Sequence, residues 1–188
     1  MIEFYYGVMG SGKSKRLIDQ YNISMTHKLF IGFIACIAHY NDAADDNKLI
    51  TTRDSDKTIK PAHIITPNFN LKRVQGFDIL YIDEAHFLTP DAVRYLSNLD
   101  DYIECYGLLT DFTNKLFKGS QALLYYAEQS YCLPVQCDYC NRRATHNIRL
   151  VNGTRVFEGD QFVLKTDDNV EYKAVCGDCF KSTKTLTF

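Results

Sequence analysis

The feature that most constrains the fold is GVMGSGKS, which occupies residues 7–14 near the start of the chain. It follows a short β-prone segment (residues 2–6) and precedes a segment with helical apolar spacing (residues 13–27). Glycine costs conformational entropy, and a lysine beside a core is unfavourable without a partner. The spacing G-x4-G-K-S between strand and helix is typical of a phosphate-binding loop. A chance match is the alternative, and the flanking elements argue against it.

In this phosphate loop, defined as residues 7–14, backbone N–H groups and the N-terminus of the next helix would surround nucleotide phosphates. Lys13 would reach the terminal phosphates, and the Ser14 hydroxyl would bind magnesium. The residues predicted to bind ATP and its magnesium ion are Gly7, Gly10, Ser11, Gly12, Lys13, Ser14 and Asp83.

A second motif, ILYIDEAHF at residues 79–87, places two carboxylates directly after an apolar strand. In phosphate-loop proteins one such acid holds the metal and a neighbour can act as base, so Asp83 and Glu84 are candidates for these two roles. A solvated acidic strand end is the alternative. The letters DEAH also occur in helicase-type ATPases, but 188 residues leave no room for two motor domains.

The order of elements predicts an α/β fold with a parallel sheet and covering helices. Strands are predicted at 2–6, 28–38, 63–67, 77–86 and 102–109, helices at 13–27, 68–76, from 90 and at 119–130, and a long polar loop at 39–58. Thr89 and Pro90 would begin the helix after the second motif. Beyond residue 130 short β-prone segments dominate, with an Asn-Gly hairpin turn at 152–153 and a second possible hairpin around 166–169. The predicted domains are residues 1–133, which bind ATP, and 134–188.

Composition excludes several classes of protein. The net charge of −2 and a pI near 6.2 argue against nucleic-acid binding through a basic face. The start of the chain does not resemble a signal peptide, and no apolar run reaches the roughly 18 residues of a membrane span. With 46% hydrophobic residues the chain can bury a core. Together with the charge and the short apolar runs, this leads us to expect a cytoplasmic protein without a membrane or nucleic-acid partner.

Four of the seven cysteines form two CxxC pairs, Cys137/Cys140 and Cys176/Cys179. Two such knuckles suit a tetrahedral structural zinc site, with a pair of disulfides as the alternative. The other three cysteines lie in apolar context and are expected to be buried thiols.

Taken in order, the N-terminal phosphate loop, DEAHF, CYGLLTDFTNKLFKGS at residues 105–120 and the two CxxC pairs with YKAVC resemble the type II, zinc-containing thymidine kinases of cells, phages and large DNA viruses. The resemblance implies a P-loop, RecA-like parallel sheet followed by a small zinc-ribbon β domain with a lasso loop. It implies transfer of the ATP γ-phosphate to the 5′-hydroxyl of thymidine or deoxyuridine. It further implies magnesium and zinc as cofactors, a homotetramer, and feedback inhibition by dTTP.

The resemblance also assigns individual roles. Glu84 falls on the catalytic base, Lys13 on the phosphate position, and Arg53 near a phosphate-side arginine. The residues that fall on the nucleoside pocket are Met9, Phe87, Leu108, Phe112, Phe117, Val163 and Tyr172. The lasso would span residues 165–170, where the usual Gly-Gly is absent, and His86 replaces the family's usual glutamine. For each aromatic side chain alone, core packing is the alternative.

Two other functions remain open on the sequence. One is a different small phosphate-loop kinase or ATPase with a zinc ribbon and another base preference. The other is a non-catalytic ATP-binding zinc module. Assays with thymidine, deoxyuridine and deoxycytidine separate the first from a thymidine kinase, and ATP binding without turnover would indicate the second.

Overall fold

The computed structural model describes residues 1–27, 29, 31–36, 50–52, 55–59, 63–65, 71–161 and 169–182, and within these the side chains of 32–36, 50–52, 55–59, 63–65 and 73 are not described. In chain order the strands are β1 (Ile2–Tyr6), β2 (Ile31–Cys36), β3 (Ile50–Thr52), β4 (Ser55–Ile59), β5 (His63–Ile65), β6 (Ile79–Asp83), β7 (Tyr102–Gly107), β8 (Gln129–Cys132), β9 (His146–Val151), β10 (Thr154–Val156) and β11 (Val170–Val175). The α-helices are α1 (Lys13–Thr26), α2 (Pro90–Leu96), α3 (Lys118–Tyr126) and α4 (Gly177–Ser182), and short 3-10 helices span Leu71–Val74 and Ala85–Phe87.

Six strands form a parallel sheet in the order β5-β2-β6-β7-β1-β8. Strand alternation sends side chains to two faces. Phe4, Ile82 and Ile103 face a core that α2 and α3 cover, whereas Tyr5 and Tyr81 face a second core with α1. Helices therefore cover both faces, and the predicted α/β fold is confirmed.

The segment after β6 illustrates how local sequence sets an element boundary. The Thr89 hydroxyl accepts a hydrogen bond from the backbone N–H of Ala92 at 3.1 Å, and Pro90 occupies the first helical position of α2. Proline has no N–H to lose there, and the threonine satisfies one of the otherwise unbonded donors. The predicted start of this helix is confirmed.

Two predicted elements differ in the structure. Where a polar loop was predicted at 39–58, β3 and β4 pair as antiparallel strands, because Ile50, Thr51 and Thr58 favour extended backbone. The helix predicted to reach Ser130 ends at Tyr126, and the chain then enters β8. Among the described strands this edge strand pairs with β1 alone, and all four of its residues are exposed, so no apolar pattern marks it in the sequence.

The C-terminal part contains the small sheet β10-β9-β11. Asn152 (φ 52°) and Gly153 (φ 76°) make the predicted turn between β9 and β10. Ile148 and Leu150 of β9 point into the core of this sheet, which also contains Cys137 and Cys176. The partner of β11 is β9, and residues 162–165 of the second predicted hairpin lie outside the described residues. The boundary between domains at residue 133 stays a prediction.

A search of the described helices for a membrane-spanning segment finds none of sufficient length and apolar character.

Candidate active site

The predicted site residues follow three neighbouring strands of the parallel sheet and lie at the carboxyl ends of those strands. The phosphate loop follows β1, Asp83 ends β6, and Leu108 follows β7, and these strands are adjacent in the order β6-β7-β1. Because the strands are parallel, their carboxyl ends lie on the same side of the sheet. Segments distant in the chain therefore meet at one place.

The phosphate loop has the backbone that its glycines allow. Gly10 and Gly12 have φ of 76° and 75°, values that are unfavourable for residues with a Cβ. The Lys13 ammonium donates to the carbonyl oxygens of Gly7 (3.2 Å) and Val8 (2.9 Å) and to the Ser11 hydroxyl (3.2 Å). The loop is thus folded around a positive charge at the N-terminus of α1, as an anion site requires.

Ser14 and Asp83 are brought together from α1 and β6. The Ser14 hydroxyl donates to Asp83 Oδ2 at 3.2 Å, and the Asp83 carboxylate is buried. Burial raises the pKa of Asp83, against the opposing hydrogen bonds from the Glu84 N–H and Ser14 and the charge of Lys13. A hydroxyl and a carboxylate at this spacing are the oxygen ligands that a hard divalent cation prefers, and its charge would favour the ionised carboxylate.

Glu84 stands at the turn between β6 and the following 3-10 helix with φ 52°. Its side chain is 47% exposed, in contrast to the buried carboxylate before it, and its Oε2 lies 3.5 Å from His86 Nδ1. An accessible carboxylate directly beside the Ser14–Asp83 pair can accept a proton from a bound hydroxyl group.

His86 is a buried neutral side chain in the wall of the site. Its Nδ1 accepts the backbone N–H of Leu108 at 3.2 Å, which places the ring proton on Nε2. Burial, with a smaller contribution from Lys13, lowers the pKa of His86 to about 3, so the contact with Glu84 is not an ion pair at neutral pH. The ring packs against Phe87 (4.0 Å between centroids) and Phe117 (4.5 Å).

The loop between β7 and α3 supplies the rest of the aromatic wall. Asp111 Oδ1 accepts the backbone N–H groups of Thr113 (2.8 Å) and Lys115 (2.9 Å), which fixes the turn. Phe112 and Phe117 on either side of this turn are buried. Buried aromatic side chains at the edge of a nucleotide site can line a slot for a flat ring.

Two residues that the sequence analysis did not single out lie on β9. Asn147 Oδ1 accepts the backbone N–H of Met9 at 2.8 Å, and its Nδ2 donates to the carbonyl oxygen of Thr110 at 3.3 Å. The Arg149 guanidinium lies over the Phe112 ring at 3.8 Å. Both side chains are polar, buried and two residues apart on one strand face. The alternation of this polar pair with the apolar pair Ile148 and Leu150 was the available signal in the sequence.

The structure accordingly places the phosphate loop, Asp83, Glu84 and Leu108 at the same end of the sheet. Phe87 and Phe117, which the sequence predicted as pocket residues, pack against His86 at this end. Asn147 ties Met9 to the loop after β7, and Tyr172 is the partner of Arg149 in the register of β11 with β9. Arg53 and Val163 lie outside the described residues, as does most of the predicted lasso.

The four CxxC cysteines form a compact cluster. All their Sγ atoms lie within 4.8 Å of one another, with Cys140 at 3.7 Å from Cys176 and 3.8 Å from Cys179. Tetrahedral zinc with bonds of about 2.3 Å places its sulfur ligands about 3.8 Å apart. The structure contains no disulfide among the described cysteines, so the disulfide alternative is not supported.

The pKa values of two thiols in this cluster are shifted in opposite directions. Hydrogen bonds from the Arg142 backbone and guanidinium lower the pKa of Cys140 to about 6. The pKa of Cys179 is raised to about 12, first through its hydrogen bond with Cys176. Metal binding requires thiolates, so a bound divalent cation would displace the protons that the four thiols carry.

A strand, glycine-rich loop and helix at the carboxyl edge of a parallel sheet, with an acid on a neighbouring strand, define a P-loop nucleotide-binding protein. The thymidine kinase family model matches residues 1–180, and the chain belongs to that family. The family uses ATP and a divalent metal, and the four-cysteine cluster is consistent with zinc.

Individual relatives align with this chain over most of both lengths. A thymidine kinase of Legionella pneumophila (strain Paris) is 34% identical over 182 residues, covering 92% of this chain and 85% of the relative. One from Enterococcus faecalis is 36% identical over 188 residues, covering 97% and 95%. One from Streptomyces coelicolor is 31% identical over 191 residues, covering 92% and 85%.

Proposed function

We propose that the protein transfers the γ-phosphate of ATP to the 5′-hydroxyl of thymidine or deoxyuridine, giving a nucleoside monophosphate for DNA synthesis. The observation that carries this proposal is the meeting of the phosphate loop, the Asp83–Glu84 pair and the aromatic loop 108–117 at the ends of three adjacent strands. Family membership supports it. In-line phosphoryl transfer needs mainly positioning and charge neutralisation, and this site provides groups for both.

Each polar residue has a proposed task. The loop N–H groups and Lys13 hold the β- and γ-phosphates, and Lys13 would exchange its present carbonyl contacts for phosphate oxygens. Ser14 and Asp83 hold magnesium, which neutralises phosphate charge when bound. Glu84 accepts the proton of the attacking 5′-hydroxyl, because its carboxylate is accessible and adjoins the Ser14–Asp83 pair.

The nucleoside would occupy the slot beside these groups. Its proposed walls include Met9 from the phosphate loop, Phe112 from the loop after β7, and Tyr172 from β11, together with Leu108, Phe87 and Phe117. An apolar slot with aromatic faces suits a pyrimidine ring, while backbone groups can recognise its polar edge. Contributions from Arg53, Val163 and the lasso stay predictions.

The four cysteines are proposed to bind one zinc ion per chain. The separations of their sulfur atoms and the absence of a disulfide among the described cysteines support this assignment. The first CxxC pair is also tied to the small sheet β10-β9-β11, which we call the ribbon sheet, since Asp138 Oδ2 accepts the N–H of Ala174 at 2.7 Å. The ion would be structural, because a four-cysteine set leaves no open coordination position.

Radioactive phosphate transfer from ATP to thymidine, deoxyuridine and deoxycytidine tests the proposal. Transfer to thymidine and deoxyuridine in preference to deoxycytidine is the expected result. Preference for deoxycytidine or a purine nucleoside would instead support a kinase of different base specificity. Binding of ATP with no transfer to any nucleoside would contradict a kinase function.

Three further properties expected from the sequence remain predictions: a homotetramer, inhibition by dTTP and a cytoplasmic location. Light scattering of the purified chain measures the first. Inhibition by dTTP that thymidine relieves would support the second.

A further inference from the structure

Arg149 is a buried arginine in the middle strand of the ribbon sheet. It is 5% exposed and its guanidinium lies 3.8 Å from the centre of the Phe112 ring. Nη1 donates to the carbonyl oxygen of Asp160 at 3.0 Å, and Nη2 donates to that of Glu158 at 3.3 Å. One side chain therefore joins the loop after β7 to the chain that leaves β10.

No carboxylate among the described residues forms an ion pair with the Arg149 guanidinium. Its neighbours are two carbonyl oxygens and an aromatic face, and its Nε has no hydrogen-bond partner in the described part of the chain. Burying a guanidinium in this way is costly, so stability alone does not explain the residue. In contrast, Arg142 and Arg94 form exposed ion pairs with aspartates.

The backbone at residues 158–160 is shaped to the guanidinium. Gly159 has φ 126°, a conformation that residues with a Cβ rarely adopt. A Cβ built on Gly159 would lie 2.4 Å from Arg149 Nη2, so a side chain there would displace the arginine. The absence of a side chain at this position permits the close approach of the two groups.

The register of the ribbon connects Arg149 to a second predicted pocket residue. Arg149 is paired with Tyr172 across β9 and β11. Directly opposed residues in antiparallel strands point to the same face, with Cβ atoms about 4.5–5.5 Å apart. Phe112 and Tyr172 thus lie on the same side of the ribbon, with Arg149 beside both.

We propose that Arg149 is a positioning residue for nucleoside binding: it holds the Phe112 ring and the 158–160 backbone in place on the face that carries Tyr172. The inference rests on the proposed function, since Phe112 and Tyr172 are its nucleoside contacts. The contacts that Arg149 makes with described residues are with Phe112, Asp160 and Glu158, outside the phosphate loop, so nucleoside affinity should depend on it more than ATP affinity does.

The test compares Arg149→Lys with Arg155→Lys in the full chain. Arg155 is also a ribbon arginine that lies over aromatic rings and donates to a carbonyl, but its rings are Phe157 and Phe180. Lysine keeps the charge but cannot cover a ring and donate to two carbonyls in the arginine geometry. We expect Arg149→Lys to raise the KM for thymidine about tenfold, which corresponds to about 1.4 kcal/mol. Its KM for ATP and its metal content should stay within twofold of the unsubstituted protein.

Arg155→Lys should leave the KM for thymidine within twofold, even if it lowers the melting temperature. Equal increases in the KM for thymidine and the KM for ATP in Arg149→Lys would overturn the inference. The same increase in the KM for thymidine in Arg155→Lys would also overturn it. Either result would indicate a general loss of stability in the ribbon sheet. An unchanged KM for thymidine in Arg149→Lys would overturn it as well.

Hydrogen exchange separates this inference from the proposed function. Without substrate, the amides of residues 158–161 should exchange faster in Arg149→Lys than in the unsubstituted protein or Arg155→Lys. If the unsubstituted protein phosphorylates no nucleoside, the proposed function fails, and the exchange result still decides whether Arg149 holds this segment. Exchange at the unsubstituted rate would overturn the positioning role in either case.

Discussion

Glu84 combines an exposed carboxylate with a backbone conformation that glutamate rarely adopts. The other described non-glycine residues at positive φ are Asn114 and Asn152, and asparagine tolerates that region far better. Strain of this kind persists where surrounding structure enforces it, and it is frequent at functional sites. Here it occurs at the residue that follows Asp83 and whose backbone N–H donates to Asp83 Oδ1 at 3.0 Å.

The substitution Glu84→Gln should therefore remove the base while keeping the shape. We expect kcat with thymidine to fall by about 10²–10⁴-fold, the usual effect of losing a general base, with the ATP dissociation constant unchanged. Steady-state kinetics and nucleotide titration measure the two quantities. Asp91→Asn, at an 87% exposed side chain on α2, is the control and should keep full turnover. Near-normal kcat in Glu84→Gln would remove Glu84 from the proposed mechanism.

His86 gives a prediction about pH. Its folded pKa of about 3 lies below the ordinary value of 6.5, so the unfolded chain binds more protons between these values. The stabilisation is complete above pH 6.5 and declines as pH falls toward 3, by up to about 1.4 kcal/mol per pH unit. Urea unfolding at pH 7.5 and 5.5 measures the loss.

The difference between the unsubstituted protein and His86→Gln isolates this contribution. Buried acids such as Asp83 and Glu104 have raised pKa values and act in the opposite direction, but they are present in both proteins. The glutamine carbonyl can still accept the N–H of Leu108 that His86 Nδ1 accepts now. His86→Gln should lose less stability between the two pH values. Equal losses would show that His86 does not remain neutral in the folded protein.

At the scale of single elements, the phosphate loop can be compared with the β9–β10 turn. Gly12 and Gly153 have φ of 75° and 76°, and an added Cβ at either position would contact nothing within 4 Å. Each change to alanine should cost about 1–2 kcal/mol through backbone strain alone. Only Gly12→Ala should raise the KM for ATP, because Gly12 begins α1 at the phosphate site. Similar KM values for ATP in the two variants would argue against nucleotide binding at this loop.

The elements that could be predicted well from the sequence are those whose sequence signals depend on neighbouring residues. The phosphate loop, the acidic end of β6 and the Thr89–Pro90 helix start each depend on a few neighbouring residues. Strand β8 could not be recognised, because it is an exposed edge strand that pairs, in the described part of the chain, with β1 on one side. Asn147 and Arg149 were missed for a related reason: their importance depends on Met9, Thr110 and Phe112, which are distant in the chain.

At the scale of the whole molecule, the zinc ribbon and the phosphate loop share a core. Val8 of the loop is 8% exposed and packs with Ile148, Cys137 and other buried ribbon residues. The opposite face of β9 adds the Asn147 contacts with Met9 and Thr110. Nucleotide binding and the fold of the ribbon should therefore depend on each other, although the proposed metal lies among the ribbon cysteines.

This coupling predicts the consequence of metal loss. Cys176→Ser removes a buried sulfur of the cluster, and the ribbon core around Val8 should loosen. Exposing a buried valine costs about 1.5–3 kcal/mol, so the melting temperature should fall together with the zinc content. The KM values for ATP and thymidine should both rise, since Met9 and Thr110 lose their contacts with β9.

Cys132→Ser is the matched control for this last change. Cys132 was expected from the sequence to be a buried thiol, and this prediction is wrong, because its residue is exposed. It lies outside the cluster and accepts a hydrogen bond from Arg143. Its replacement should leave one zinc per chain and both KM values unchanged, measured by elemental analysis and kinetics on the same preparations. If Cys176→Ser loses its metal and keeps the original KM for ATP, the ribbon does not support the phosphate loop. The packing of Val8 against the ribbon residues would then stabilise the fold without affecting nucleotide binding.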